Sequence, residues 1–261
     1  MSTSVFEETI AAREGKTIYR DGGKTIKIFE SGYKTSDILN EALNLARVEE
    51  IVGSDIGLNV PKLLEVTKVA TSSGEAWAII TEYIPGKTMS ELMKTSPDKK
   101  DEYLHALIDL QITIQSKEGV GLHKLHDKMK RKINETCFDA TTRYELQTRL
   151  GGMPKHTKMC HGDFCPSNII ITPDGVPYII DWAHATQGNA SADAARTYLL
   201  FNLQGNHDLA EEYLTRYSKR ADIARQTIQK WLPIVAASQS VKAKAEEREF
   251  LASWVNVVEY E

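Results

Sequence analysis

The residues with the most chemistry in them fall in one stretch, Met159 to Trp182. It contains His161-Gly162-Asp163, then Asn168, then Asp181-Trp182. Two short apolar runs, Asn168 to Ile171 and Tyr178 to Ile180, flank Thr172-Pro173-Asp174-Gly175. Proline in second place and glycine in fourth suit a type I turn, so the runs predict a β-hairpin. A hairpin brings the start of its first strand back to the end of its second, which makes neighbours of Asn168 and Asp181. Asp163 sits in the loop just ahead of them. Three oxygen-bearing side chains at a hairpin mouth suit a hard divalent ion, and Mg²⁺ takes one or two protein carboxylates together with substrate phosphates. Phosphoryl transfer uses such an ion, and it also needs a carboxylate to orient the attacking hydroxyl and accept its proton. The plain alternative for these three residues is a polar turn cluster.

The chain that has to position them divides into two compositional halves. Up to about Pro85 it reads as short strands plus one helix. Ser4 to Ile10 predicts an edge strand and Arg13 to Lys16 a turn. Thr17 to Arg20 and Lys24 to Phe29 flank Asp21-Gly22-Gly23, a hairpin signal. In the second of these strands Lys24, Ile26 and Ile28 share one face, and Thr25, Lys27 and Phe29 the other. Ser36 to about Ile51 has helical period, with Glu41 placed oddly along the apolar row Ile38, Leu45, Val48. Val60 to Val66 and Ala76 to Tyr83 read as strands, with Gly74 punctuating the turn between them. Beyond Ile84-Pro85-Gly86, Thr88-Met89-Ser90-Glu91 is a capping box. From there helices dominate: one through Leu104, Leu107, Ile108, Gln111 and Ile114, then about 190–203, 208–217, 223–236 and 240–257.

Composition narrows the function classes. The 261 residues are 41% hydrophobic and 26% charged, ordinary values for a globular chain. Lys plus Arg number 32 against 36 Asp plus Glu, a formal charge of −4, whereas a domain that grips nucleic acid through its phosphates is usually basic. No apolar run reaches the ~20 residues of a membrane span, and the first residues lack the basic and apolar regions of a secretory signal. The three cysteines, Cys137, Cys160 and Cys165, form no Cys-x-x-Cys pair, which argues against a zinc site or a disulfide framework. The expectation is a cytoplasmic protein with reduced thiols, no nucleic-acid partner and no membrane partner.

His161-Gly162-Asp163 followed by Asn168, then Ile180-Asp181-Trp182, resembles the signature of the aminoglycoside phosphotransferase and choline kinase superfamily. The match extends over most of the chain because the earlier elements fall in the right order. Lys27 resembles the third-strand lysine that holds nucleotide phosphates, Glu41 resembles its helix partner, and Glu82, Tyr83 and Ile84 resemble the hinge whose backbone binds adenine. The resemblance implies an α+β, two-lobed protein-kinase-like fold. Its small β-rich lobe would span residues 1–84, and a larger, mainly helical lobe would span residues 85–261. It further implies ATP and Mg²⁺ as cofactors, Asp163 as catalytic base, Asn168 and Asp181 as metal ligands, and a hydroxyl of a small molecule, an amino alcohol, an aminoglycoside or a sugar-like compound, as acceptor. His161 would brace the loop, and Asp193 matches an aspartate that supports it. The sequence departs from eukaryotic protein kinases in having His-Gly-Asp for His-Arg-Asp and Asp181-Trp182-Ala183 for Asp-Phe-Gly. It also lacks a Gly-x-Gly-x-x-Gly before the lysine, Gly15 standing alone in the first hairpin loop. These departures favour a small-molecule substrate over a protein.

Bland readings stand beside these. Lys27 could be an exposed strand lysine, and Glu41 a surface charge with Glu49 or Glu50 as the true partner. Cys165 reads as a small packing residue. The segment from His123 to Arg149 is basic, with Lys124, Lys128, Lys130, Arg131, Lys132, Arg143 and Arg149, and would suit an acidic or phosphorylated acceptor. The C-terminal helix is acidic, with Glu246, Glu247, Glu249, Glu259 and Glu261, and acidic residues near the C-terminus of relatives bind cationic amines. Both segments also read as solvated helix faces, so the acceptor stays open. An atypical protein kinase and a non-catalytic nucleotide-binding regulator are the rival functions.

Overall fold

The structure is a computed structural model that describes residues 6–13, 15–53, 57–72 and 74–255. These form two compact units. The first comprises residues 1–94 and 167–184, the second residues 95–166 and 185–261.

The first unit is built on an antiparallel sheet of β1 (Glu8–Arg13), β2 (Lys16–Asp21), β3 (Lys24–Phe29), β4 (Leu63–Thr71) and β5 (Gly74–Glu82), in the order β1-β2-β3-β5-β4. Ser4 and Val5 of the expected edge strand, and Glu14 of the expected turn, lie outside the described residues. Helix α1 (Thr35–Val52) covers one face. The period-two alternation of β3 makes this possible: Ile26 and Ile28 pack with Ala78 and Ile80 on one face, while Phe29 packs with Ile38, Ala42 and Ile79 on the other. Of the two apolar rows on α1, Ile38, Ala42, Leu45 and Val48 are buried, whereas Leu39 and Leu43 are exposed. Strand β4 starts later than the pattern around Val60 predicts, because Pro61 lacks the N–H a ladder needs. β6 (Lys87–Thr88) pairs with β8 (Ile169–Ile171), which pairs with β9 (Pro177–Ile179). Where Gly86 meets this hairpin, an added Cβ would fall on the Ile171 carbonyl oxygen. After it comes α2 (Met89–Thr95), whose capping box forms as the sequence predicts: the Glu91 N–H donates to Thr88 Oγ1 and the Thr88 N–H to Glu91 Oε2.

The second unit is mainly helical. It holds α3 (Lys100–Ser116), α4 (Leu125–Glu135), α5 (Ala140–Gly152), α6 (Ala190–Leu203), α7 (His207–Ala221), α8 (Arg225–Gln229), α9 (Leu232–Ser240) and α10 (Ala245–Val255). β7 (Lys158–Cys160) and β10 (Thr186–Gly188) pair in a small antiparallel ribbon. The helix expected over 223–236 is two helices. Pro233 cannot donate to the turn before it and its ring crowds that turn, so the chain breaks at Lys230-Trp231 and restarts as α9. The last helix begins at Ala245 rather than Ser240, and residues 256–257 lie outside the described residues. Trp231, Tyr213, Tyr217 and Phe201 are fully buried at its centre.

Candidate active site

In the first unit, three residues from three elements converge. The Lys27 ammonium on β3 is ion-paired with Glu41 on α1, and lies 3.4 Å from Asp181 Oδ1, just past β9. All three side chains are largely buried, Lys27 at 13% exposure and Glu41 at 14%. The odd carboxylate on the apolar stripe of α1 is therefore the lysine's partner, while Glu49 accepts from the Leu63 N–H instead. Burial alone would depress the lysine, but the charges of Asp181 and Glu41 outweigh it and hold Lys27 protonated well above its ordinary range. One turn along α1 from Glu41, the buried Asn44 donates from Nδ2 to the carbonyls of Trp182 and Ala183, at 3.4 and 3.3 Å. One helix face thus grips both the lysine and the backbone after Asp181. Asp181 itself has φ +63°, a left-handed conformation that a non-glycine residue adopts at a cost of about 1–2 kcal/mol.

The β8–β9 hairpin forms around its expected turn, with the Gly175 N–H donating to the Thr172 carbonyl at 2.9 Å. The Ile180 N–H donates to the Asn168 carbonyl, also at 2.9 Å. Asn168 and the residue before Asp181 are therefore direct neighbours, and Asn168 is buried. At the end of β5 the Glu82 N–H donates to the Lys62 carbonyl and the Tyr83 N–H to that of Gly23. The Arg20 guanidinium stacks on the Tyr83 ring at 4.5 Å.

In the second unit the loop around Asp163 is held from several sides. His161 is buried, its Nδ1 accepts from the Asp163 N–H at 3.2 Å, and its ring meets Phe164 edge-on. Gly162, at φ +78°, turns its N–H to Asp193 Oδ1 at 2.7 Å. Asp193 sits in the first turn of α6, where the helix dipole favours a carboxylate. Its other oxygen accepts from Gln111 and Gln115 of α3 at 3.3 and 3.0 Å. Those amides are in turn fixed by the hydroxyls of Tyr213 and Tyr217, both pushed upward by burial so that they stay protonated donors. The Asp163 carboxylate accepts from Arg196, one turn after Asp193 on α6, at 3.3 Å. Cys165 and Cys160 are buried, and burial raises the Cys160 thiol.

A family model described as the phosphotransferase enzyme family matches residues 16–231, most of the chain. The chain belongs to the phosphotransferase enzyme family. A search of curated proteins returns no match. Among solved structures, this phosphotransferase is similar to a thermostable mutant of the aminoglycoside phosphotransferase APH(4)-Ia in ternary complex with ADP and hygromycin B. The TM-score is 0.67 at 12% identity, covering 97% of this chain and 91% of that one. It is also similar to the choline kinase LicA from Streptococcus pneumoniae, with a TM-score of 0.63 at 19% identity, covering 95% and 92%. At these identities the likeness is one of fold. The phosphotransferase has the two-lobed, protein-kinase-like α+β fold that its sequence signature implies, with a β-rich N-terminal sheet and a helical C-terminal part.

Within each unit the phosphotransferase brings together what the sequence singles out: Lys27, Glu41 and Asp181 in one, and Asp163 and Asp193 in the other. Its sequence also carries neighbours of these residues that the motif does not name. Gln111 and Gln115 announce themselves as amides one turn apart on an otherwise apolar stripe. Arg196 lies on the same helix face as Asp193. Lys16, at the start of β2, is lowered by burial and by the neighbouring Lys27, against the pull of Asp181 and Glu41. Among the described residues no helix is long and apolar enough to cross a membrane.

Proposed function

We propose that this phosphotransferase moves the terminal phosphate of ATP to a hydroxyl of a small molecule, with residues 1–84 serving the nucleotide and residues 85–261 supplying the catalytic loop, the metal ligands and the acceptor pocket. The observation that carries the reading is the desolvated Lys27 ammonium shared between Glu41 and Asp181. So oriented, the lysine presents fixed positive charge to nucleotide phosphates without reorganising. The ADP bound by the aminoglycoside phosphotransferase of the same fold supports a nucleotide. Glu82, Tyr83 and Ile84 would seat the adenine through their backbone.

The donor set fits Mg²⁺: a carboxylate from Asp181 and an amide oxygen from Asn168, both hard, in one hairpin. Bound there, Mg²⁺ would supply positive charge against the phosphate oxygens. Asp163 orients the acceptor hydroxyl and takes its proton as the hydroxyl oxygen bonds to the terminal phosphorus and the bond to the bridging oxygen breaks, releasing ADP. Arg196 and Asp193 keep that carboxylate and its loop in place, so catalysis is positioning and electrostatics.

The test is a pooled screen. The protein is incubated with Mg²⁺-ATP and a mixture of sugars, amino alcohols, aminoglycosides, hydroxy acids and sugar phosphates, and products are read by mass beside Asp163→Ala. A phosphorylated small molecule should appear, and the variant should make about a thousandfold less of it while binding ATP about as well. Wild-type turnover in Asp163→Ala would overturn the assignment of the base.

A further inference from the structure

Resting on the reading of Asp163 as the base, we propose that Thr197 and Gln111 are positioning residues for it. Thr197 holds the backbone just after Asp163, and Gln111 locks Thr197 to Asp193, which holds the backbone just before. The contacts that α6 makes with this loop fall on three successive residues. Asp193 Oδ1 accepts from the Gly162 N–H at 2.7 Å, Arg196 donates to Asp163 Oδ1 at 3.3 Å, and the Thr197 hydroxyl donates to the Phe164 carbonyl at 2.9 Å. Residues 193, 196 and 197 are three and four apart, so they share one face of the helix. A threonine inside a helix often turns its hydroxyl to the carbonyl four residues back. Thr197, fully buried, instead donates away from its own helix to the loop.

Gln111 of α3 ties the two backbone contacts together. Its Nε2 group donates both to Asp193 Oδ2, at 3.3 Å, and to Thr197 Oγ1, at 3.0 Å. Its Oε1 accepts from the Tyr213 hydroxyl of α7 at 2.5 Å. Turned over, the amide would set its oxygen against the Asp193 carboxylate, so its partners leave it one orientation. Gln111 and Thr197 have no exposure to solvent and Asp193 has 3%. Water therefore does not compete for these bonds, and each is stronger for it. Helices α3, α6 and α7 thus act together on the peptide groups either side of Asp163, which fixes where its side chain starts. A group that must meet an acceptor hydroxyl has to be held to within about 0.5 Å, and a misplacement of about 1 Å can lower the rate about a hundredfold.

The test compares Thr197→Val, which keeps the shape and removes the hydroxyl, with Thr197→Ser, which keeps the hydroxyl. Tyr213→Phe removes only the bond that orients Gln111. All are assayed with Mg²⁺-ATP and pooled sugars, amino alcohols, aminoglycosides, hydroxy acids and sugar phosphates, beside Asp163→Ala. For the product that the wild type forms, Thr197→Val should lower kcat about tenfold and leave the KM for ATP unchanged. Thr197→Ser should recover most of that loss, and Tyr213→Phe should lower kcat about threefold. Combined, Thr197→Val and Tyr213→Phe should lower kcat by less than the product of their separate effects, because both break one chain of bonds. Amide hydrogen exchange in a peptide spanning residues 160–166 should quicken in Thr197→Val and not in Thr197→Ser. The thermal shift given by a non-hydrolysable ATP analogue should stay the same in both. Equal losses in the valine and serine variants, or a loss of ATP affinity along with kcat, would mean that the changes act through packing and would overturn the inference. Wild-type kcat in Thr197→Val, with Asp163→Ala inactive, would overturn it as well and leave the proposed base standing. Turnover that survives in Asp163→Ala would overturn the base and this inference with it.

Discussion

The three charged side chains around Lys27 show how a motif residue becomes useful only through its company. A strand lysine in water has its charge screened, whereas this one is desolvated and kept protonated by Asp181 and Glu41. Lys16 belongs to the same neighbourhood although no motif names it. It stands at the end of the first hairpin loop, where the sequence offers Gly15 in place of a glycine-rich run, and burial, then the charge of Lys27, lowers its ammonium. A lysine whose charged form is disfavoured by burial and by a like charge gains from an added anion, such as the phosphates of a nucleotide. Replacing Lys16 by Ala is expected to raise the KM for ATP about tenfold and to change kcat less. The thermal shift produced by a non-hydrolysable ATP analogue should shrink in parallel. An unchanged shift would leave Lys16 a structural residue of β2.

At the scale of elements, local signals carried well and partner choice did not. Helix α6 spans the expected 190–203 because Asn189 caps it, its side chain accepting from the Ser191 N–H, and the β8–β9 hairpin forms because its turn residues suit the turn. Period identifies which face of a helix is turned inward, but not what that face will meet. So Gln111 on α3 read as one more member of an apolar row, and nothing local tied it to Asp193, which it reaches only once α3 and α6 have docked. Arg196 is legible as a basic residue and illegible as the partner of Asp163 for the same reason. Gly86 is a case in which the element itself explains the residue: β6 runs so close to β8 that no side chain fits. Gly86→Ala must push the Ile171 carbonyl aside, and urea unfolding should find it about 2–4 kcal/mol less stable. Because β8 follows directly on Asn168, ATP affinity should fall along with stability. A stable variant with weakened ATP binding would mean that the strand tolerates the shift and the site does not.

For the molecule as a whole, the burial of one lysine predicts how stability depends on pH. Lys128 is held at about 7, by burial first and by Arg196 and Lys242 next, against an ordinary value of 10.5. Below about pH 7 it is charged in both the folded and unfolded states, and the folded protein bears the full cost of that charge. Between about 7 and 10.5 the unfolded chain binds a proton that the folded one does not, so stability rises with pH across this window and the penalty is gone above it. Lys128→Met removes the group and keeps much of its apolar length. The variant should therefore be more stable than the wild type at pH 6, and its advantage in urea midpoint should narrow steadily by pH 9. Equal midpoints at pH 6 would show that solvent reaches the ammonium and relieves it.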